Sequence, residues 1–531
     1  MHGAVRASLT PLLALAALAG LALVAAPAAR AAASGAAAGS FAASETALHR
    51  LADRLRRLEE DGLDPAAYGV PRDALALQDG EAWRAALRRA AAAALADLLL
   101  GRVREPPPGR ADLRRDTAAV PLAPWMAALA ASAEPAAVLD RAALATPGAA
   151  PLKAALARAR AVAAAGGWPA IPGGAAPADT IEPGAEDELR VPLLRARLAA
   201  TDPQVAREAA SGPGVYDEAL VAAVRRFQAE QGLEADGRVG RLTLAALNRP
   251  PEALVRQLRV ALDMRRAAAA PGPERRIEVN IAHQRLAVLE GGRTLLEMAV
   301  VVGRPSRPTP TLRVRLAAVQ FNPPWGVPER NAKEDLLPRF RRDPRAMMEK
   351  GFRVYAFRDG ERVELDPTGI DWRGVSAERF PYLIRQDAGE ANALGRIKFV
   401  IPNGEDIFMH DTPDRHLFRR PDRAFSSGCI RLERPMELLD IALEGLPGWD
   451  RARVSRVLDG RQTVGVTVAR ALPVRLHYTT VVVDGGEVRV RPDIYRLDEA
   501  YARALDGGGR ARVAEGTQAG AAPAAAAPEV R

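Results

Sequence analysis

Apolar residues three and four apart dominate the chain from about residue 45 to 165. Leu48, Leu51, Leu55 and Leu58 form one such stripe; Leu87, Leu95, Leu98 and Leu99 form another, ended by Gly101. Prolines at 106–108 interrupt the pattern. This spacing predicts a helical scaffold over 41–182, closed by a Gly/Pro/Ala-rich boundary at 166–184. A compact unit follows over 185–250. Its helix, 216–228, carries Leu220, Val221, Val224 and Phe227 on one face. A turn at Asp236-Gly237, then Gly240, leads into a short helix over 242–247. A connecting helix over 251–270 carries Leu254, Leu258 and Leu262.

From Arg276 the period changes from helical to two. Residues 276–280 and 285–290 alternate, and Gly291-Gly292 predicts a hairpin into 295–302. Further runs of strand type lie at 313–321, 398–401, 407–410, 463–468, 477–483 and 487–490, with a helix at 436–443. Residues 275–505 thus read as a mainly-β domain. Within it, about 322–395 lose the alternation: they are Pro-rich and partly helical (332–340, 344–350), with a hairpin at Asp359-Gly360. A long irregular insertion in a β-domain marks a lid or binding loop. The segment 507–531 is Gly/Ala/Pro and reads as a disordered tail.

Length and composition fit several globular domains: 531 residues, 48% hydrophobic and 26% charged. The net charge is +9, yet the excess cations are dispersed and aromatics are only 5%, which argues against a nucleic-acid partner. Only Lys153, Lys333, Lys350 and Lys398 are lysines among 74 basic residues. An uncharged run over 12–29, followed by Ala-x-Ala sites, predicts a signal peptide over 1–31. The body is then exported to the periplasm, or held at the inner membrane if the segment stays uncleaved. Cys429 is the single cysteine, which excludes an intrachain disulfide and a multi-thiolate metal site. An unpaired thiol in an oxidising compartment calls for a reason.

The densest chemistry lies in IFMHDTPDRHLFRRPDRAFSSGCIRLERP, residues 407–435. A nucleophilic Cys needs a partner that takes its proton. His410 ends a predicted strand 19 positions before Cys429, and Gly428 lets the backbone turn before the thiol. Backbone N–H groups of that turn suit an oxyanion. His410, Asp411, Asp414 and His416 also spell a possible metal set, but Pro413 breaks the segment and the two His lack helical spacing.

These residues resemble the signature of the L,D-transpeptidases, the YkuD-type enzymes: His, a loop, then Ser-x-Gly-Cys-hydrophobic-Arg. Here Ser427 stands where many relatives have His. The SSGC form and the HDTP opening at 410–413 are similar to the large multidomain, YcbB-like branch. So are RIEVNIAHQRLAVLEGG (276–292), VVGRPSRPTPTL (301–312), FNPPWGVP (321–328) and LIRQDAGEANALGRIKFVIPN (383–403). The text VYDEALVAAVRRFQAEQGLEADGRVGRLTLAALN resembles the three-helix peptidoglycan-binding module.

The resemblance implies a multidomain fold: helical scaffold, three-helix binding module, and mainly-β catalytic domain with a capping insertion. It implies Cys429 as nucleophile and His410 as general base and acid, oriented by a backbone carbonyl. Amides around Ser427 and Gly428 would hold the oxyanion, and Ser426 and Ser427 would donate hydrogen bonds or satisfy the turn. Arg431 would order the loop or meet a substrate carboxylate. Phe408 stands where relatives often carry Tyr, and Trp325 would line the groove or pack the core. The implied reaction is 3→3 cross-linking of peptidoglycan stem peptides with release of D-Ala, without cofactor or metal. Donor and acceptor stems are the partners, the module meets glycan, and carbapenem-type β-lactams would acylate the thiol. The alternatives are an L,D-carboxypeptidase using the same pair, or a silent wall-binding scaffold.

Overall fold

The computed structural model describes residues 43–70, 80–173, 176–207, 212–268, 272 and 274–517. The predicted signal peptide lies outside them, as do residues 518–531 of the tail. The chain divides into two compact units, one of which holds residues 103–116 and 148–508.

The other unit is helical and contains Glu45–Arg56, Gly80–Leu100, Leu122–Ala131 and Pro135–Leu144. Ser44 caps the first helix by accepting from the Ala47 amide. Leu48, Leu51, Leu55 and Leu58, the predicted stripe, are all buried in its core beside Leu87, Leu95 and Leu98. Arg54 and Asp61 are buried together at 2.6 Å.

The larger unit begins the C-terminal β-domain with β1 (Arg276–Asn280), β2 (Arg285–Glu290), β3 (Arg293–Gly303) and β4 (Leu312–Phe321). The insertion contributes β5 (Trp325–Gly326), β6 (Phe352–Arg358), β7 (Glu361–Leu365) and β8 (Leu383–Gln386). Then come β9 (Ile397–Val400), β10 (Met409–His410), β11 (Ala424–Ser426), β12 (Ile430–Leu432) and β13 (Val464–His477). The main sheet runs β11-β3-β12-β10-β9-β4-β13-β1-β2, and β2 also pairs with β3. That last pairing closes β3, β12, β10, β9, β4, β13, β1 and β2 into a ring, with β11 added to the end of β3. Closure leaves these strands without a free edge. Alternate residues Ile277, Val279, Leu286, Val288, Leu316, Val319, Phe399, Met409 and Ile430 form the core. Helix Pro435–Leu443 packs Leu438, Leu439 and Leu443 onto it.

β4 and β9 are antiparallel neighbours, pairing Ala318 to Val400 and Phe321 to Ile397. The insertion leaves from one and returns at the other. At the neck, the Asn322 amide donates to Arg396 O at 2.8 Å. Asn322 Nδ2 donates to the carbonyls of Val457, Leu458 and Gln462. Between them the insertion builds its own sheet, β5-β8-β6-β7, and its own core of Leu336, Phe340, Phe352, Trp372 and Ile384. The Phe340 and Trp372 rings stack at 4.4 Å. The sequence pattern missed this sheet because its strands are short and half exposed. The predicted Asp359-Gly360 hairpin is present as the β6–β7 turn.

The binding-module segment packs helices Arg190–Ala199, Glu218–Gln231 and Arg241–Leu247 around Val191, Leu194, Tyr216, Val224, Phe227 and Leu247. Buried Gln228 explains part of its motif. Its amide nitrogen donates to Asp236 Oδ1, Arg238 O and Thr243 Oγ1, and its oxygen accepts from the Gly237 amide at 2.9 Å. One side chain thus fixes the Asp-Gly turn to the last helix.

Three expectations change. The scaffold drawn over 41–182 is not one body. Helix Ala149–Ala164 buries Leu152 and Leu156 against Leu258 and Leu262 of helix Pro251–Arg265, within the unit that holds the β-domain. That second helix is therefore a packed core element, not a mere connector. Runs at 463–468 and 477–483 belong to one longer strand, β13, and a separate hairpin, β14 (Val481–Asp484) with β15 (Glu487–Val490). A bulge between Thr467 and Leu472 breaks the alternation and hid the continuity. Finally, a helix covers Leu497–Thr517, where the sequence pattern begins a disordered tail.

Candidate functional site

β10 is only two residues long, yet it fixes the site. It pairs with β12 in parallel, setting Met409 against Ile430 and His410 against Arg431. It pairs with β9 antiparallel, setting Met409 against Phe399 and His410 against Lys398. Residues paired across strands share a face. Met409, Ile430 and Phe399 are fully buried in the core. Lys398, His410 and Arg431 therefore form a row on the opposite face. One step back along the ladder, the Ile430 amide donates to Phe408 O at 3.1 Å, which brings Phe408 beside Cys429.

His410 is buried, and its Nδ1 meets Asp411 O at 2.5 Å. A carbonyl accepts only, so Nδ1 carries the hydrogen and Nε2 keeps its lone pair. Burial pushes the imidazole pKa down to about 3, and the Arg431 charge adds to this. His410 is thus neutral near pH 7, the form a base requires. Phe408 and His410 rings lie 5.8 Å apart.

Cys429 sits just before β12 and is half-buried. Its thiol points to Asp406 O at 3.9 Å, and not to the imidazole. Burial raises the thiol pKa to about 11, against a backbone hydrogen bond from Phe408 and the charges of Lys398 and Arg431. The resting pair is therefore neutral thiol and neutral imidazole, with Cys429 one residue before β12 and His410 on the neighbouring β10.

The turn before Cys429 is built tightly. Gly428 has φ +120°, and a Cβ there would lie 2.9 Å from Ile407 Cδ1. Ser426 Oγ donates to Cys429 O at 2.6 Å and accepts from the Gly428 amide at 3.1 Å. Thr309 Oγ1 donates to Gly428 O at 2.6 Å and accepts from the Gly303 amide at 2.8 Å. Ser426 thus serves the turn, and the Gly428 amide is already engaged.

Ser427 does something the sequence pattern did not foresee. Its Oγ accepts from Arg304 at 3.1 Å, Arg307 at 2.8 Å and Asn331 at 3.0 Å. Both arginines also bond Asp335, at 3.0 and 2.6 Å. Asn331 precedes a π-helical turn, Ala332–Leu336, inside the insertion, and Asp335 lies within that turn. Ser427 therefore ties the thiol loop to the cap. Arg304 and Arg307 stand in the quoted GRPSRP segment, but nothing in their spacing announced this contact.

The remaining predicted residues divide. Arg431 Nη1 donates to Asp414 Oδ2 at 2.6 Å and lies 3.5 Å from Thr412 Oγ1, so it orders the loop after His410. Trp325 packs edge-on to Phe352, 6.4 Å between centroids, in the cap core. Phe408 carries Lys398 Nζ over its ring at 3.9 Å. Lys398 was not singled out by the sequence; its one signal was being a rare lysine. Asp411 accepts from Arg415 and the Arg396 amide, and His416 is exposed in the following turn.

The site thus combines a thiol just before β12, a neutral imidazole on the neighbouring β10, and a tie through Ser427 to the cap. Residues 274–455 match the family described as the YkuD L,D-transpeptidase catalytic domain. Residues 190–247 match that described as "Putative peptidoglycan binding domain". The chain is thus similar to L,D-transpeptidase catalytic domains over residues 274–455 and to peptidoglycan-binding domains over residues 190–247. It is 38% identical over 240 residues to a Haemophilus influenzae protein named "Putative L,D-transpeptidase". That match spans 45% of this chain and 48% of the relative's length. Among solved structures, an L,D-transpeptidase from Mycobacterium smegmatis matches at 15% identity and TM-score 0.19, covering 39% of this chain and 59% of its own. A structure titled the Ldtfm-avibactam carbamoyl enzyme matches at 12% identity and TM-score 0.16, covering 43% and 61%.

Proposed function

We propose that the protein is an exported L,D-transpeptidase that forms 3→3 cross-links between peptidoglycan stem peptides through a thioester on Cys429. The observation that carries this reading is His410: buried, neutral and held through Nδ1 by Asp411 O, on the strand next to β12, which the only thiol precedes.

The proposed chemistry begins as the Cys429 thiol turns from Asp406 O toward His410 Nε2. Cys429 Sγ attacks the carbonyl that joins the third stem residue to D-Ala. His410 Nε2 takes the thiol proton and passes it to the leaving amine, so D-Ala departs and the thioester remains. An amine from a second stem then attacks the thioester. His410 accepts its proton and returns one to sulfur as the new amide forms. With the Gly428 amide engaged, those of Ser427 and Cys429 are the oxyanion donors. The binding module brings the domain to glycan, and the charge-free segment at 12–29 supports placing the work in the periplasm.

The test is incubation with disaccharide-tetrapeptide, read by mass spectrometry. A dimer lacking one D-Ala, lost in Cys429→Ala, is the expected result. D-Ala release without dimer would mean carboxypeptidase chemistry, and neither product would overturn the reading. Exposure to a carbapenem should add one inhibitor mass to the wild type and none to Cys429→Ala.

A further inference from the structure

Beside the pair stands a cation that the mechanism above does not use. Lys398 is paired with His410 across β9 and β10, so its side chain leaves the same face. Its ammonium rests 3.9 Å from the centre of the Phe408 ring, and Phe408 lies beside Cys429. The ring faces the cation with its negative quadrupole, which holds a flexible side chain in one place. Phe408 lacks a hydroxyl, and this contact gives its ring a use.

The charged groups around the thiol come from every neighbouring strand. Lys398 projects from β9, neutral His410 from β10, and Arg431 from β12; Asp406 lies in the loop before β10. Arg304 and Arg307 are tied to Ser427, next in chain to Gly428. Arg431 already bonds Asp414, whose carboxylate offsets its charge. Among the described residues the Lys398 ammonium makes no hydrogen bond or ion pair to a carboxylate, and the charges that favour it are those of Cys429 and Asp406. It is half-buried, and the costly burial of a charge is offset when the thiol becomes a thiolate.

We propose that Lys398, steadied on the Phe408 ring, is a positioning residue of the reaction site that stabilises the Cys429 thiolate. The proposal rests on the reading of Cys429 as the attacking group. No atom is transferred to or from Lys398. Its ammonium lowers the free energy of the charged sulfur that appears once the thiol proton leaves, and the acyl thioester, being neutral, loses that stabilisation.

Alkylation of the full chain by iodoacetamide tests this without any wall substrate. The lone cysteine makes the added mass unambiguous in intact-protein spectra. Lys398→Met should slow alkylation at about pH 8 by about tenfold, equal to about one unit upward in thiol pKa. Lys398→Arg, which keeps the charge, should stay within about threefold of wild type. A folded Lys398→Met variant that alkylates as fast as wild type overturns the proposal. So does an Arg variant as slow as the Met one, since that would mark a packing role. Should Lys398→Met fail to fold, Phe408→Leu keeps the ammonium and removes its platform. It should alkylate about threefold slower, and an unchanged rate counts against the proposal. Absence of a cross-linked product in wild type would sink the transpeptidase reading while these rates still decide the role of Lys398.

Discussion

At the scale of single residues, burial sets the protonation states of the site. His410 and His477 are pushed to about pH 3 and His283 to about 4, each chiefly by desolvation. An unfolded histidine titrates near 6.5. Between those values the unfolded chain binds protons that the folded chain refuses. The stability these groups contribute is therefore present above about pH 6.5 and lost as pH falls toward about 4 to 3. Urea unfolding should show a lower midpoint at pH 5 than at pH 7.5, and equal midpoints would contradict the burial of these rings. The same depression predicts that activity shows no protonation limb near 6.5. A kcat/KM profile falling with an apparent pKa near 6.5 would mean that His410 is more solvated than described. The proposed nucleophile and base, Cys429 and His410, were singled out in the sequence because the single cysteine follows a glycine and the histidine ends a predicted strand. Lys398 was not, because a lysine in an alternating run looks like any solvent-facing position until the neighbouring strand is known.

At the scale of elements, two short strands and one turn hold the chemistry. Gly428→Ala adds a methyl at φ +120° and 2.9 Å from Ile407 Cδ1. It should cost about 1–3 kcal/mol in stability and abolish acylation, because the turn that aims the thiol must shift. Circular dichroism melts and carbapenem adduct formation would check both. The cap contact makes a separate prediction. Arg307 is nearly buried and bonds Asp335, Glu334 and Ser427. Asp335→Ala should remove about 1.5–3 kcal/mol of local stability and raise amide exchange across 329–342. Unchanged exchange there would show that the link between cap and thiol loop is idle. Periodicity gave β1 and β2 to the residue, since their alternation is clean. It lost β13 to a bulge, and it missed the cap sheet because half-exposed strands of two to seven residues carry little pattern.

At the scale of the whole molecule, periodicity marks a helix but does not say which body it joins. Leu152 and Leu156 sit in a run indistinguishable from the helices before it, yet they pack on Leu258 and Leu262. Two compact units imply two unfolding transitions in scanning calorimetry. Leu156→Ala should cost about 2–5 kcal/mol and move the transition of the unit that holds the ring. Leu51→Ala, buried in the other unit, should move the other one. A Leu156→Ala shift in both or in the wrong transition would contradict the division.

The neck at Asn322 and Arg396 has an evolutionary consequence. Because β4 and β9 are bonded neighbours, the ring meets the seventy-odd residues between them as a single hairpin connection. Closing a long loop costs little more than closing a short one, about 0.6 kcal/mol per doubling of length. Most of the cap can therefore change length at little cost in chain entropy. What is not free to vary is the short stretch carrying Asn331 and Asp335, because its bonds to Arg304, Arg307 and Ser427 reach the loop that holds the thiol.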